Sequence, residues 1–148
     1  MSDRSELIEL HNRLSKTLDE ERGAAREKRY EKGYRTAREN LDHLVDKDSF
    51  VEYGQLAIAA QKSRRELEEL RTETAADGII TGFGKINSEI LDDKKALSAL
   101  IINDYSVLAG TQGYYHHKKL DRICETAEKQ NLPVVMYTEG GGGRPGDT

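Results

Sequence analysis

The chain is poor in several features that whole classes of protein require. Among 148 residues there is one cysteine, Cys124, so an internal disulfide is excluded and a reducing compartment suits the protein. No signal-like apolar stretch follows Met1 and no run is long enough to cross a bilayer, so the expected location is cytoplasmic. A basic excess is also missing: 23 Lys and Arg face 27 Asp and Glu, a formal net charge of −4, which argues against a nucleic-acid binder. No internal repeat is visible.

Charge is what the chain has in quantity, and it is unevenly spread. Charged residues make up 34% and hydrophobic ones 36%, yet nearly half of the first forty residues are charged, while Gly78 to Thr138 holds most of the apolar runs. The length suits one domain. The expectation is a charged helical arm over residues 1–35 and a small α/β core over 36–148.

Leu7, Leu10, Leu14 and Leu18 recur at spacings of three and four, which predicts one apolar stripe on a first helix that packs by one edge and ends at Gly33. Thr36-Ala-Arg-Glu39 has the capping-box form, predicting a second helix with Leu41, Leu44 and Val45 on its buried side. After a turn at Asp46 to Ser49, Phe50 to Tyr53 reads as a short strand. Gln61 to Thr74 is charged and weakly amphipathic, either a surface helix or a mobile connection. Asp77 to Ile86 reads as a strand in which Gly82 and Gly84 allow another backbone to come close. Asp92 to Lys95 is a turn into a second strand, Ala96 to Asn103, completing a hairpin. A loop with Gly110 and Gly113 leads to a helix over Tyr114 to Gln130, with Leu120, Ile123, Cys124 and Ala127 on one face.

The most informative stretch is the last. Leu132 to Tyr137 reads as a buried strand, and it opens into four glycines, Gly140 to Gly143, followed by Arg144 and Pro145. Consecutive glycines bring bare N–H groups close to a ligand, as oxyanion and phosphate sites require. A P-loop is argued against, because no Lys-Ser or Lys-Thr follows the glycines. The plainer alternative is a frayed glycine tail. Lys28, Arg29, Lys32, Arg35 and Arg38 form a basic cluster that reads either as anion contacts or as a solvated helix face. His116 and His117 point about 100° apart on a helix and make a poor metal pair, so they read as surface or packing residues. Cys124 is expected to be an inert core residue.

Four segments, EKGYRTARENLDHLVDKDSFVE, DGIITGFGKI, NDYSVLAGTQG and LPVVMYTEGGGGRPGDT, stand in the order and spacing of a known family. Together they resemble the carboxyltransferase component of biotin-dependent acyl-CoA carboxylases of the acetyl-/propionyl-CoA type. The resemblance implies an α/β, crotonase-like fold, a ββα spiral preceded by charged helices, of which this chain supplies the opening part of the acyl-CoA-binding domain. It implies transfer of CO₂ from carboxybiotin, held on a separate carrier domain, to the α-carbon of an acyl-CoA. By the same resemblance, Gly141 and Gly142 donate backbone N–H groups to the enolate oxygen, with Gly143 and Arg144 alongside. Ala109, Gly110 and Thr111 would flank the pantetheine arm and thioester, although an ordinary turn capped by Thr111 also fits them. Arg35 and Arg38 would meet the CoA phosphates.

No catalytic side chain and no metal are expected, since biotin itself takes the α-proton in the family. The implied partners are acyl-CoA, the remaining carboxyltransferase domain, the biotin carboxyl carrier and the biotin carboxylase, in a homo- or hetero-oligomer. This chain alone is expected to be inactive. Two other readings stand beside this one: a non-catalytic interaction module of a carboxylase complex, and a different crotonase-fold acyl-CoA enzyme such as a hydratase or decarboxylase.

Overall fold

A computed structural model describes residues 2–147. Helix α1 spans Ser2–Ser15, where the chain turns instead of continuing to Gly33. The Ser15 hydroxyl donates to Asn12 O at 3.0 Å and the Thr17 hydroxyl to Leu14 O at 2.7 Å, local bonds that compete with the helical ladder. Helix α2 then covers Gly23–Tyr30, and Gly33, in the left-handed region at φ 74°, ends this second helix. Most of the apolar stripe expected to pack is on the surface: Leu7, Leu10 and Leu18 are exposed, and Leu14 is half-buried.

Helix α3, Ala37–Leu44, starts at the expected capping box. Thr36 Oγ1 accepts from the N–H of Glu39 at 3.0 Å, and the Glu39 carboxylate accepts from the N–H of Thr36 at 2.8 Å. Strand β1 is Val51–Tyr53, helix α4 Leu67–Glu73 and strand β2 Ile79–Lys85. The one-turn helix α5, Asp93–Ala96, is capped by Asp92 and feeds strand β3, Leu97–Asn103. Helix α6, Tyr114–Gln130, has the predicted bounds, and Asn131 at φ 53° turns the chain into strand β4, Val134–Tyr137.

The sheet order is β1-β2-β3-β4, with β1 and β3 antiparallel to β2 and β4 parallel to β3 through the α6 crossover. Alternation along the strands sends Ile80, Leu100 and Ile102 to one face, where Ala37 and Leu41 of α3 cover them. Ile79, Ala99 and Ile101 go to the other, under Ile123 and Ala127 of α6. Gly82 has to be glycine, since a Cβ there would overlap Val51 O and the Phe50 ring.

Two expectations are corrected here. Strand β4 is an edge strand, paired on its β3 side, and Val134 and Met136 are exposed because α6 covers β2 and β3 but not β4. Cys124 is also exposed, since it lies one step around α6 from the buried line Ile123–Ala127.

Candidate functional site

Because β3 and β4 are parallel, their C-terminal ends lie side by side, and the two glycine-bearing loops leave the sheet together. After β3, Leu108, Ala109 and Gly110 all have positive φ (47°, 55° and 62°), a sharp reversal that is strained for the first two. The Thr111 hydroxyl donates back to Leu108 O at 2.6 Å; it closes this turn and does not cap α6, whose N-cap is Gly113.

The loop after β4 docks onto that turn. Gly141 N–H donates to Ala109 O at 2.9 Å, Gln112 N–H to Gly142 O at 2.8 Å, and Arg144 N–H to Gln112 O at 2.9 Å. Side chains at two positions would prevent the contact: a Cβ on Gly110 would overlap Glu139 O, and one on Gly140 would overlap Gly110 O. The glycines are therefore an ordered, paired loop and not a tail. Ala109, Gly110 and Thr111 thus lie against the loop of Gly140 to Gly143.

The two expected donors, Gly141 and Gly142, differ in their backbone bonding within that loop. The N–H of Gly141 is taken by Ala109 O, whereas those of Gly142 and Gly143 have no backbone acceptor among the described residues. Gly142 sits at φ 100°, a conformation that favours glycine, and all three glycines are exposed.

Beside the loop lies an open cleft of about 850 Å³, lined by Lys28, Arg29 and Lys32 from α2 and its end, by Tyr34 and Tyr105, and by Glu139. Arg29 is buried and forks onto Glu139, with Nη1···Oε1 at 2.6 Å and Nη2···Oε2 at 2.8 Å, and its Nε donates to Arg35 O at 3.0 Å. Arg35 itself is exposed. Arg38 is committed elsewhere: it forks onto Glu52 at 2.6 and 3.1 Å and also donates to Thr17 O. Its guanidinium is turned inward, neither solvated nor offered to a phosphate.

Arg144 is likewise internal. Its Nη2 lies 2.5 Å from Asp77 Oδ1 and 3.5 Å from Asp147 Oδ2, and both carboxylates are buried. The other Asp77 oxygen accepts the His116 N–H at 2.7 Å, while Asp147 Oδ2 accepts the Tyr114 N–H at 3.1 Å. Two carboxylates thus satisfy the first turn of α6 in place of its glycine N-cap. Burial pushes the Asp77 carboxyl up, and the Arg144 guanidinium pulls it back. His116 is fully buried, with Nδ1 3.1 Å from Asp77 O; burial, chiefly, lowers its pKa to about 4 and keeps the ring neutral. Lys119 is buried too, donating to Ala76 O at 2.8 Å and to Ile79 O, and burial lowers it to about 8.

Sequence reasoning missed Asp77 and Glu52 as charge partners and Tyr34 and Tyr105 as cleft walls. Only the basic cluster Lys28, Arg29 and Lys32 pointed to the cleft. No group of His, Cys, Asp or Glu among the described residues could hold a metal ion, and none of their helices is long and apolar enough to cross a membrane.

An antiparallel strand pair, a crossover helix and a backbone-rich loop at the strand ends make up a crotonase-like α/β unit, and the solved structures that superpose on it are carboxyltransferases of that fold. The carboxyl transferase domain family matches residues 28–147, and the chain belongs to that family. It is 34% identical over 139 residues to the biotin-dependent acetyl-/propionyl-coenzyme A carboxylase beta5 subunit of Mycobacterium leprae, covering 93% of this chain and 23% of that relative. A solved single-chain, multi-domain long-chain acyl-CoA carboxylase matches with a TM-score of 0.93 at 51% identity, covering 96% of this chain and 14% of that one. The transcarboxylase 12S structure, a hexamer solved with hydrolysed methylmalonyl-coenzyme A bound, matches with a TM-score of 0.67 at 27% identity, over 84% of this chain and 22% of its own. The chain spans about a quarter or less of the length of these relatives.

Proposed function

We propose that this chain forms the acyl-CoA side of a biotin-dependent carboxyltransferase, acting in the cytoplasm with a carrier-borne carboxybiotin and the other carboxylase components. The observation that carries this reading is the glycine loop docked on the Ala109–Gln112 turn beside a cleft that contains Lys28 and Lys32. An acyl-CoA presents phosphates at one end and a thioester at the other. Lys28 in the last turn of α2 and Lys32 just beyond it suit the phosphates, and the exposed Arg35 is a further candidate. The thioester then reaches the loop of Ala109, Gly110 and Thr111 and the glycines.

When the α-proton leaves, negative charge moves to the thioester oxygen. Backbone N–H groups aimed there lower the barrier, and removing one such donor typically costs about 10²–10³ in rate. Gly142 remains the donor of the expected pair whose N–H is unengaged, and Gly143 is its neighbour. Carrier-borne carboxybiotin would supply the carboxyl group, and the biotin left after release of CO₂ would take up the α-proton; the chain's own residues bind and orient the thioester and stabilise the enolate.

Calorimetric titration with acetyl-CoA and propionyl-CoA tests the proposal. Saturable binding at micromolar levels is expected, weakened roughly tenfold, or by 1.4 kcal/mol, in Lys28→Glu/Lys32→Glu. Absence of saturable binding by either thioester would sink the reading. The exposed Leu7, Ile8 and Leu10 on α1 favour a second role, docking on another carboxylase component. Pull-down of the carrier or carboxylase component that survives Leu7→Ser/Leu10→Ser would remove that role.

A further inference from the structure

Four consecutive glycines have no side chains with which to hold a position. The position of the run must therefore be fixed by its backbone or by its neighbours. Here the neighbours are charged and of opposite sign, Glu139 before the run and Arg144 after it. Each is paired with a residue far away in sequence. Glu139 receives the fork of Arg29 from α2, and Arg144 donates to Asp77, two residues before β2.

We infer that Glu139 and Arg144 are the positioning residues of the glycine loop, and that Arg29 and Asp77 are the fixed points they are anchored to. Both anchors are built for one geometry. The Arg29 guanidinium lies 5.0 Å from the Tyr34 ring centre and 6.0 Å from that of Tyr105, and its Nε is held by Arg35 O, so its fork presents one orientation to Glu139. Asp77 is fixed by the His116 N–H on one oxygen and by the Arg144 guanidinium on the other. Asp147 completes the second anchor: its Oδ1 accepts from Gln61 Nε2 at 2.8 Å and its Oδ2 from Tyr114 N–H at 3.1 Å. The guanidinium of Arg144 fits over Gly113, where a Cβ would overlap both Arg144 and Asp147.

The two anchors act at opposite ends of the loop. Between them the three backbone bonds to Ala109 and Gln112 set its height over the turn, and the N–H of Gly142 is left without a backbone acceptor among the described residues. Losing the first anchor frees the entry of the loop while the hairpin and α6 stay packed, because Glu139 lies outside both hydrophobic clusters. Losing the second also uncaps α6. The loop's use in binding rests on the function proposed above; its anchoring does not.

The experiment compares the wild-type chain with Glu139→Gln, Arg29→Lys and Asp77→Asn by amide hydrogen exchange in NMR, followed by calorimetry with acetyl-CoA. Glu139→Gln keeps the side chain's shape and removes its charge; Arg29→Lys keeps the charge and removes the fork. In Glu139→Gln the Gly141 amide, bonded to Ala109 O, should exchange at least about tenfold faster, while the amides of Leu100 to Ile102 keep their wild-type rates. Arg29→Lys should give a smaller rise at the same amide, and acetyl-CoA affinity should fall in the same order. Asp77→Asn should speed exchange at Gly141 and at His116, whose N–H Asp77 accepts, together; should that variant fail to fold, the Glu139 and Arg29 series decides. Unchanged exchange at Gly141 in Glu139→Gln, or a rise shared equally by Leu100 to Ile102, overturns the inference. A loosened loop in a chain whose wild type binds no acyl-CoA leaves the anchoring standing and removes the functional reading alone.

Discussion

Helix α1 and the stretch from Thr17 to Leu44 both carry many charges, yet they use them in opposite ways. The ion pairs that reach α1 and its end are on the surface: Lys16–Glu68 at 3.0 Å and Arg71–Glu9 at 3.7 Å, with Glu68 and Glu9 well exposed. From Thr17 onward three of the arginines point inward. Arg22 meets Asp104 at 2.6 Å, Arg29 meets Glu139 and Arg38 meets Glu52, each across to the sheet or its loops. On the arm side of the boundary expected at residue 35, Arg22 and Arg29 thus reach across to Asp104 and to Glu139 at the entry of the glycine loop. A charged helix is an arm only when its charges find no partner in the core. Exposed pairs are held by weak, screened attraction, whereas a desolvated guanidinium fork fixes where two elements meet.

The contrast is tested most severely at Arg38. Arg38→Ala leaves the Glu52 carboxylate nearly buried and unpaired, and the expected loss is about 3–5 kcal/mol, read from the urea-unfolding midpoint. A loss comparable to that of an exposed α1 charge would erase the distinction. Acid provides the next largest effect. The unfolded imidazole of His116 takes up a proton near 6.5 and the folded one only near 4, so stability that is fully present above pH 6.5 drains away as pH falls towards 4. That shift corresponds to about 3 kcal/mol, and His116→Asn should flatten this part of the stability–pH curve; a slope unchanged by the substitution would contradict it.

Smaller effects sharpen the comparison from its two sides. Thr36→Ala removes the cap that starts α3 and a hydroxyl 2.5 Å from the Asp19 carboxylate, with an expected cost of about 1 kcal/mol by thermal unfolding. Lys16→Ala, at the exposed end, should cost no more than about 0.5 kcal/mol in the same assay. A larger cost there would mean that α1 is clamped to α4 as firmly as α2 is clamped to the glycine loop.

What could be read along the chain depended on the reach of the signal. The capping box at Thr36 and Glu39, the bounds of α6, the β2–β3 hairpin and the close approach at Gly82 were all legible, because each is decided by residues a few positions apart or by one side chain's absence. So was the likeness of four segments to the carboxyltransferase family, now carried by the match over residues 28–147. The break after Ser15 was hidden behind a leucine spacing that continues through Leu18. The exposure of Cys124, one step from Ile123 on α6, turned on how far that helix rotates against the sheet.

The candidate site divides along the same line. Alone, the sequence determined that a strand would open into a glycine loop, that a second small-residue loop would precede a helix, and that basic residues would cluster near Lys28. Local chemistry sufficed, since glycine frees the backbone wherever it stands and a helix needs its cap within one turn. Only the tertiary structure decided that the two loops pair, that Gly141 spends its N–H on Ala109, and that Arg38 and Arg144 face inward. Those outcomes depend on partners such as Glu139 for Arg29 and Asp77 for Arg144, 110 and 67 positions away. A charge pair at that separation leaves no period or motif in the chain; it exists once β4 has settled beside β3 and brought both loops to the same end of the sheet.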